Sequence, residues 1–471
     1  MKNYKIYCGG EFIDTPNKLK VVNPYTNNVF AETYLATKDI LETAIKAAEG
    51  VKEEMQSLPS YVKYKALMHI SNTLKERKEY FSEILCQESG KPMVYSRGEI
   101  DRAIQTFSIA AEESKRFPGE VISLDWTPAG KGRQGIVKYF PVGLVAGISP
   151  FNFPMNLAVH KIAPAIAAGC PIILKPSTNT PLSTLALAEI IAETELPKGA
   201  VSILPMDRTT GNQLVTDDRF KLLSFTGSPH VGWMMKAQAG RKKVVLELGG
   251  NAGLIITKSA DLDLAVKKAV IGGFAYSGQV CIHAQRIYVA KEIFEEFSNK
   301  FVEQVKNLHL GNPMDDNTQI SSMIDENNAI RVENWVKEAV EDGAKIICGG
   351  KRNGTYYEPT VLVDTKPKMK VCALEVFGPV VTLEPFDDFK IAIDEVNQSE
   401  FGLQAGIFTN QIDEMDFAFA KLEVGGVIIN DSPIFRVDHM PYGGVKDSGL
   451  GREGLKYAMM DMLEARILVK N

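Results

Sequence analysis

Several features are missing from this 471-residue chain, and each absence narrows what it does. No uninterrupted apolar run reaches the roughly 18 residues of a membrane span. The opening Met1-Lys2-Asn3-Tyr4-Lys5-Ile6-Tyr7-Cys8 lacks the apolar core of a secretory leader. The six cysteines (Cys8, Cys86, Cys170, Cys281, Cys348 and Cys372) are too few in so long a chain for a disulfide framework. There is no Cys-x-x-Cys pair and no His-Glu-x-x-His, so neither a structural nor a catalytic metal is expected. These absences suit a reducing cytoplasm and no membrane. Excess positive charge is missing too: the net charge is -5, which gives no electrostatic footprint for nucleic acid. The short cluster Arg241-Lys242-Lys243 reads as a solvated turn. No internal repeat and no low-complexity linker divides the chain, and between Val142 and Glu247 no strand is followed by the usual dinucleotide fingerprint Gly-x-Gly-x-x-Gly.

What is present is an ordinary soluble composition, 45% apolar and 24% charged, in a chain long enough for two or three cores. The first part starts with short strands. Helical spacing follows over Asp39 to Met55, Tyr61 to Glu88 and Ile100 to Phe117, the last closed by Phe117-Pro118-Gly119. Val121 to Pro141 reads as a hairpin turning at Gly130-Lys131-Gly132. From Val142 to Glu247 short apolar strands alternate with helices, the pattern of a doubly wound parallel α/β sheet. A second α/β unit runs from Gly250 to Phe435, and Met462 to Val469 reads as a final strand. Ligands of doubly wound sheets bind beyond the carboxyl ends of the strands. Asn152, Lys175 and Glu247 all fall at such ends.

Three stretches carry the chemistry. Tyr276-Ser277-Gly278-Gln279-Val280-Cys281-Ile282-His283 sets a cysteine among small neighbours that leave its sulfur approachable. Val245-Leu246-Glu247-Leu248-Gly249-Gly250 carries one carboxylate into a glycine turn, and Ser149-Pro150-Phe151-Asn152-Phe153-Pro154 holds one amide between two prolines. Taken singly, these read equally as a buried thiol, a buried ion-pair partner and an Asx turn. In order and together they resemble the aldehyde dehydrogenase superfamily, which carries Pro-Phe-Asn-x-Pro, then Glu-Leu-Gly-Gly, then Gly-Gln-x-Cys. The resemblance extends from Val22-Asn23-Pro24 to Gly449-Leu450-Gly451-Arg452.

That resemblance implies two α/β domains and a small β oligomerisation element. Residues 1–118 and 142–248 would bind the dinucleotide, 249–439 would be catalytic, and 119–141 with 455–471 would pair subunits into a homodimer or homotetramer. It implies Cys281 as nucleophile, Glu247 as base for the hydrolytic water and Asn152 as oxyanion donor. An unperturbed thiol is only about 3% ionised at pH 7, and no Lys or Arg lies within four residues of Cys281. His283, two residues on, is expected to be satisfied elsewhere. Phe225-Thr226-Gly227-Ser228-Pro229-His230-Val231-Gly232 reads as strand, turn and helix. There Gly227 allows close approach and the helix start at Ser228 offers free N–H groups to a pyrophosphate; an ordinary capped turn is the plainer alternative. Phe151, Lys175, Ser177, Thr178, Gly227, Ser228, Gly232, Leu248, Glu375 and Phe377 are thereby expected around the dinucleotide. NAD-preferring members often have a Glu where this chain has Thr178. Its absence removes a repulsion of roughly 3 kcal/mol toward a 2′-phosphate at about 5 Å, so NADP is expected to be preferred, with NAD as the alternative.

The substrate is read less sharply. Arg436 and Arg102 are candidates to hold an anionic or hydroxyl-bearing tail, Arg436 alternatively being a surface partner of Asp438 or Asp431. Much of the chain resembles the branch that acts on lactaldehyde and, without phosphorylation, on glyceraldehyde-3-phosphate. Its phosphate-binding members have Arg directly before the nucleophile, where this chain has Val280. The expectation is a small hydroxyaldehyde such as lactaldehyde, with succinic semialdehyde or glyceraldehyde-3-phosphate as alternatives. An acylating enzyme is opposed by Glu247, a thiol hydrolase by the dinucleotide features, and a non-catalytic protein of the same fold by the intact Cys281, Glu247 and Asn152.

Overall fold

The computed structural model describes residues 2–470 of the α/β protein. Its larger sheet has eight strands, in the spatial order Gly449–Leu450, Lys243–Glu247, Leu222–Thr226, Val145–Ile148, Ile172–Lys175, Val201–Ile203, Ile6–Cys8 and Glu11–Ile13. The five strands from Lys243–Glu247 to Val201–Ile203 are parallel; the flanking ones run antiparallel. Strands such as Ile172-Ile173-Leu174 are apolar without alternation because helices cover both faces. The helix Pro154–Ala168 is buried along its whole length. It has Pro at its first position, where a missing N–H does no harm, and ends on Gly169 at φ 84°.

The second sheet has seven strands: Lys345–Cys348, Thr360–Val363, Val380–Phe386, Arg286–Ala290, Gly253–Ile256, Gln404–Phe408 and Gly426–Ile429. All neighbours are parallel except the first pair. The hairpin strands Gly119–Ser123 and Gln134–Pro141 are joined by the terminal strand Leu463–Lys470, which pairs antiparallel with Gln134–Pro141 along its full length. This three-stranded ribbon leaves Val121, Trp126, Ile467, Leu468 and Val469 exposed, Trp126 at 91%. Among the described residues no helix is long and apolar enough to cross a membrane.

Several boundaries differ from the sequence reading. Tyr61 to Glu88 is two helices, Ser60–Glu76 and Lys78–Ser89, broken at Arg77 (φ -102°, ψ 21°). The break turns the second helix onto Leu182–Ala192. Asp39 to Met55 breaks likewise at Val51. The helix of Arg102 runs Met93–Glu113, started by Pro92 and finished before Phe117. The hairpin turn is longer than three residues and holds a short 3₁₀ turn at Pro128–Gly130. Lys243 opens a strand rather than closing a solvated turn.

Register sets the rim on which the site sits. Thr226 lies beside Glu247, Phe225 beside Ile148, and Ile148 beside Lys175. Four parallel strands thus end at one level. Gly449 pairs with Glu247 and covers what would otherwise be an open edge.

Candidate active site

The cysteine stretch follows the helix Leu262–Phe274 through a tight reversal. Tyr276 (φ 50°) and Ser277 (φ 53°) both adopt the left-handed conformation, as does Gly278 (φ 68°). Such a backbone costs about 1–2 kcal/mol for each residue bearing a side chain. It persists because its surroundings hold it: Tyr276 Oη donates to the Ser89 carbonyl at 3.1 Å and Ser277 Oγ to the Ser321 carbonyl at 2.8 Å. Gln279 Oε1 accepts from the Ile324 N–H at 2.9 Å. A Cβ on Gly278 would lie 2.1 Å from the Gly378 carbonyl oxygen, so only glycine fits.

Cys281 lies deep but keeps part of its surface open to a cavity of about 390 Å³. Asn152, Glu247, Phe151, Gly227, Ser228, Leu248, Glu375 and Phe377 line the same cavity. Residues expected from three distant stretches therefore meet in one place. Asn152 Nδ2 donates to the Gln279 carbonyl at 3.0 Å, tying the amide loop to the cysteine loop. The glycine turn after Glu247 is squeezed from both sides. A Cβ on Gly249 would meet Glu375 Oε2 at 2.3 Å, and one on Gly250 the Cys281 carbonyl oxygen at 2.5 Å.

Glu247 is buried, and neither carboxylate oxygen has a partner in the protein. Burial, then the nearby Glu453, push its carboxyl well above the ordinary range, against Arg436, Lys161 and Arg452. Burial pushes the Cys281 thiol up to about 11, and a hydrogen bond with Tyr442 Oη at 3.2 Å pulls it back. Burial also raises Glu375 to about 7, opposed by the Gly250 N–H and Arg331. His283 is satisfied elsewhere, with Nε2 2.8 Å from the Gly273 carbonyl oxygen, and burial holds it neutral at about 4.

The dinucleotide features are distributed more widely. Ser228, which lines the cavity, starts the helix Pro229–Gln238 without a side-chain cap. Gly232 gives Leu248 room, since a Cβ there would lie 2.4 Å from Leu248 Cδ2. Lys175 ends its strand outside the cavity wall, and burial lowers its pKa. Ser177 Oγ accepts the Asn179 N–H at 3.2 Å, and Thr178 faces a separate hollow of about 340 Å³ beside Glu88. These features fit a nicotinamide dinucleotide: an uncapped helix start, aromatic walls at Phe151 and Phe377, and a carboxylate at Glu375.

Neither arginine lines the cavity. Arg102 donates to Asp438 at 2.6 Å and 3.3 Å. Arg436 is buried rather than at the surface, and its partner is Glu453 at 2.8 Å. Asp438 is taken by Arg102 and His160, and Asp431 by Lys268, so neither anticipated partner of Arg436 is available. Against burial, His160 and Arg102 hold the Asp438 carboxyl well below the usual range. Glu453 also meets Lys161 at 3.3 Å; against burial, Lys161, His160 and Arg436 keep it at about 2.

Sequence reasoning did not single out Tyr442, Lys161, Glu453, Arg331 or Trp335. Tyr442 directly precedes Gly443-Gly444, a usable signal. Arg331 and Trp335, four apart on the helix Glu326–Glu341, both line the cavity. Nothing in the sequence separates them from a solvated helix face.

Residues 12–468 match the model of the aldehyde dehydrogenase family. The chain is 46% identical to a 3-sulfolactaldehyde dehydrogenase of Priestia aryabhattai, covering 100% of this chain and 98% of the relative. It is 40% identical to a lactaldehyde dehydrogenase of Methanococcus aeolicus, covering 99% and 100%. Among solved structures it resembles aldehyde dehydrogenase 21 of Physcomitrella patens in complex with the reaction product succinate (TM-score 0.98, 48% identity, 100% and 98% covered). It also resembles the glyceraldehyde-3-phosphate dehydrogenase of Methanocaldococcus jannaschii complexed with NADP (TM-score 0.92, 40% identity, 96% and 98% covered).

Proposed function

The chain belongs to the aldehyde dehydrogenase family, and from that premise we propose that it oxidises a short 2-hydroxyaldehyde to its carboxylate with NADP, through a thioester on Cys281. The observation that carries this reading is the convergence of Cys281, Asn152 and the unpartnered carboxylate of Glu247 on one cavity. Cys281 Sγ adds to the aldehyde carbon, and the carbonyl oxygen becomes an oxyanion held by Asn152 Nδ2 and the Cys281 N–H. The nicotinamide, when bound, accepts the hydride that turns this adduct into a thioester. Glu247 then takes a proton from water, which attacks the thioester carbon and returns the thiolate. A buried carboxyl with a raised pKa suits that proton transfer near neutral pH. Phe151, Phe377 and Glu375 would frame the nicotinamide end, Ser228 and Arg331 the pyrophosphate, and Lys175 the adenosine ribose, with Ser177 and Thr178 beyond. The Methanocaldococcus relative is complexed with NADP, which agrees with the missing carboxylate at Thr178.

Both lactaldehyde and 3-sulfolactaldehyde are 2-hydroxyaldehydes, and enzymes named for them cover essentially this whole chain. Succinic semialdehyde is the second reading, favoured by the succinate-bound moss enzyme. Glyceraldehyde-3-phosphate ranks behind both, because Val280 stands before the nucleophile. Arg102, oriented by Asp438 and still partly exposed, is the residue we assign to an anionic tail; Arg436 acts from behind Tyr442. The division into dinucleotide-binding, catalytic and pairing segments fits the two sheets and the ribbon. The exposed Trp126 and Ile467 to Val469 suit a homo-oligomer.

The test follows reduced-cofactor absorbance with lactaldehyde, 3-sulfolactaldehyde, succinic semialdehyde and glyceraldehyde-3-phosphate, each with NADP+ and NAD+. The reading expects the highest kcat/KM for a 2-hydroxyaldehyde with NADP+, and none in Cys281→Ala. A preference for succinic semialdehyde overturns the substrate assignment, a preference for NAD+ the cofactor assignment, and activity in Cys281→Ala the mechanism.

A further inference from the structure

The nucleophile assigned above needs to ionise, and its surroundings oppose this. Burial raises the Cys281 thiol, and no helix begins in the residues that follow it. Among the described residues its sulfur has one hydrogen-bond partner, Tyr442 Oη at 3.2 Å.

That phenol is held with care from three directions. It belongs to a buried apolar cluster with Tyr276, Val280, Ile282 and Leu403. Its backbone is clamped to Glu453: the Tyr442 N–H donates to the Glu453 carbonyl at 3.0 Å, and the Glu453 N–H donates back at 2.6 Å. The guanidinium of Arg436 lies 3.7 Å from the ring centroid, and its side chain is only 6% exposed. Arg436 is fixed there by the Glu453 carboxylate at 2.8 Å, so one residue positions both the tyrosine and the cation upon it. A desolvated cation over an aromatic face attracts its electron density. For a phenol this strengthens the O–H as a donor, and a donor to an anion makes a stronger bond than a donor to a neutral atom.

We propose that Tyr442, with Arg436 on its ring, is the hydrogen-bond donor that stabilises the Cys281 thiolate before the aldehyde arrives. The inference rests on Cys281 being the nucleophile. The S–H bond breaks, its electron pair stays on sulfur, and its proton leaves to solvent water, so that Glu247 stays free for the later hydrolysis. Tyr442 keeps its own proton and donates it only as a hydrogen bond. When sulfur adds to the aldehyde carbon, the negative charge moves to the carbonyl oxygen and the phenol's contribution to sulfur fades. Its effect therefore falls on the amount of thiolate, and on kcat/KM below the thiol's ionisation midpoint, rather than on thioester hydrolysis.

The experiment is the pH profile of iodoacetamide alkylation of Cys281 in the full-length enzyme, read by peptide mass spectrometry. It compares the parent, Tyr442→Phe and a protein carrying 3-fluorotyrosine at position 442. Losing a hydrogen bond to a charged group should raise the midpoint of Tyr442→Phe by about one to two pH units and slow alkylation about ten- to hundredfold below it. kcat/KM should fall in proportion at low pH and recover at high pH. Fluorination acidifies the phenol and should move the midpoint down, an opposite sign that a folding defect cannot imitate. An unmoved midpoint in Tyr442→Phe, or an upward shift with fluorotyrosine, overturns the proposal. If Cys281→Ala is inactive while Tyr442→Phe leaves the midpoint in place, the tyrosine's role alone falls. If Cys281→Ala remains active, the nucleophile reading falls with it.

Discussion

Replacing Glu247 with Gln should stop the enzyme after its first turnover. The substitution keeps the side chain's shape in a pocket with little slack: a Cβ on Gly443 would lie 2.8 Å from Glu247 Oε1. Loss of a general base removes about 10²–10⁴ of rate, equivalent to roughly 2.7–5.5 kcal/mol of barrier. Cys281 and Asn152 are untouched, so rapid mixing of the variant with aldehyde and NADP+ should release about one equivalent of reduced cofactor per site and then stall, the mark of an accumulating acyl-enzyme. The same variant tests the buried carboxyl by stability. Burial lifts the folded pKa of Glu247 above the unfolded one, so the unfolded chain gives up its proton first as pH rises. The parent therefore loses stability from about pH 4.3, the unfolded value, up through the raised folded value. Gln has no proton to lose. Its Tm should match the parent near pH 4.5 and exceed it at pH 8. A steady-state rate within about tenfold of the parent would refute the base assignment. A Tm difference that does not change with pH would refute the argument from burial.

Three further outcomes are expected. Asn152→Ala should lower kcat about 10²–10³-fold, the usual loss for one oxyanion donor, while Cys281 alkylation at a given pH stays as in the parent; a smaller loss would show that the amide only ties Gln279 in place. Thr178→Glu should weaken NADP+ relative to NAD+ by roughly 3 kcal/mol, over a hundredfold in the ratio of kcat/KM; an unchanged ratio would place the 2′-phosphate elsewhere. Asp438→Asn leaves Arg102 and His160 without their shared carboxylate and should destabilise the fold by about 3–5 kcal/mol in chemical denaturation at pH 7. Because the folded pKa of Asp438 is depressed, its stabilisation is present above the unfolded value near 3.9 and lost as pH falls below it. The gap between variant and parent should close at acid pH, and a gap that persists there would rule out an ionic origin.

Much of the scaffold was legible because parallel strands buried on both faces leave little choice of residue. Ile172-Ile173-Leu174 and Leu222-Leu223-Ser224-Phe225 read as strands for that reason, and Lys175 and Glu247 read as functional because a charge ends an apolar run. Helix breaks at Val51 and Arg77 were hidden, since neither residue is a Gly or Pro and apolar spacing continues past both. The left-handed backbone at Tyr276 and Ser277 was equally silent, being imposed by tertiary hydrogen bonds on residues that do not favour it. The charge cluster could not be read at all: Lys161 and Glu453 meet across 292 residues of chain, and Cys281 and Tyr442 across 161. Arg436 was noticed as a cation near the substrate mouth, but its burial behind Tyr442 emerges only when the chain is folded.

The edge strand Gly449–Leu450 beside Glu247 has a bearing on synthesis as well as on stability. A ribosome finishes the five parallel strands of the larger sheet by residue 247 and delivers Cys281 soon after. Tyr442 follows Cys281 by 161 residues, with Gly449 and Glu453 later still. Throughout that interval the growing chain holds a cysteine whose sulfur has no phenol beside it, a carboxylate on an open sheet edge, and Lys161 without its counter-charge. On the proposal made above, the growing chain carries its thiol without its hydrogen-bond donor until residues 442–453 both cover the sheet edge and bring the phenol to the sulfur.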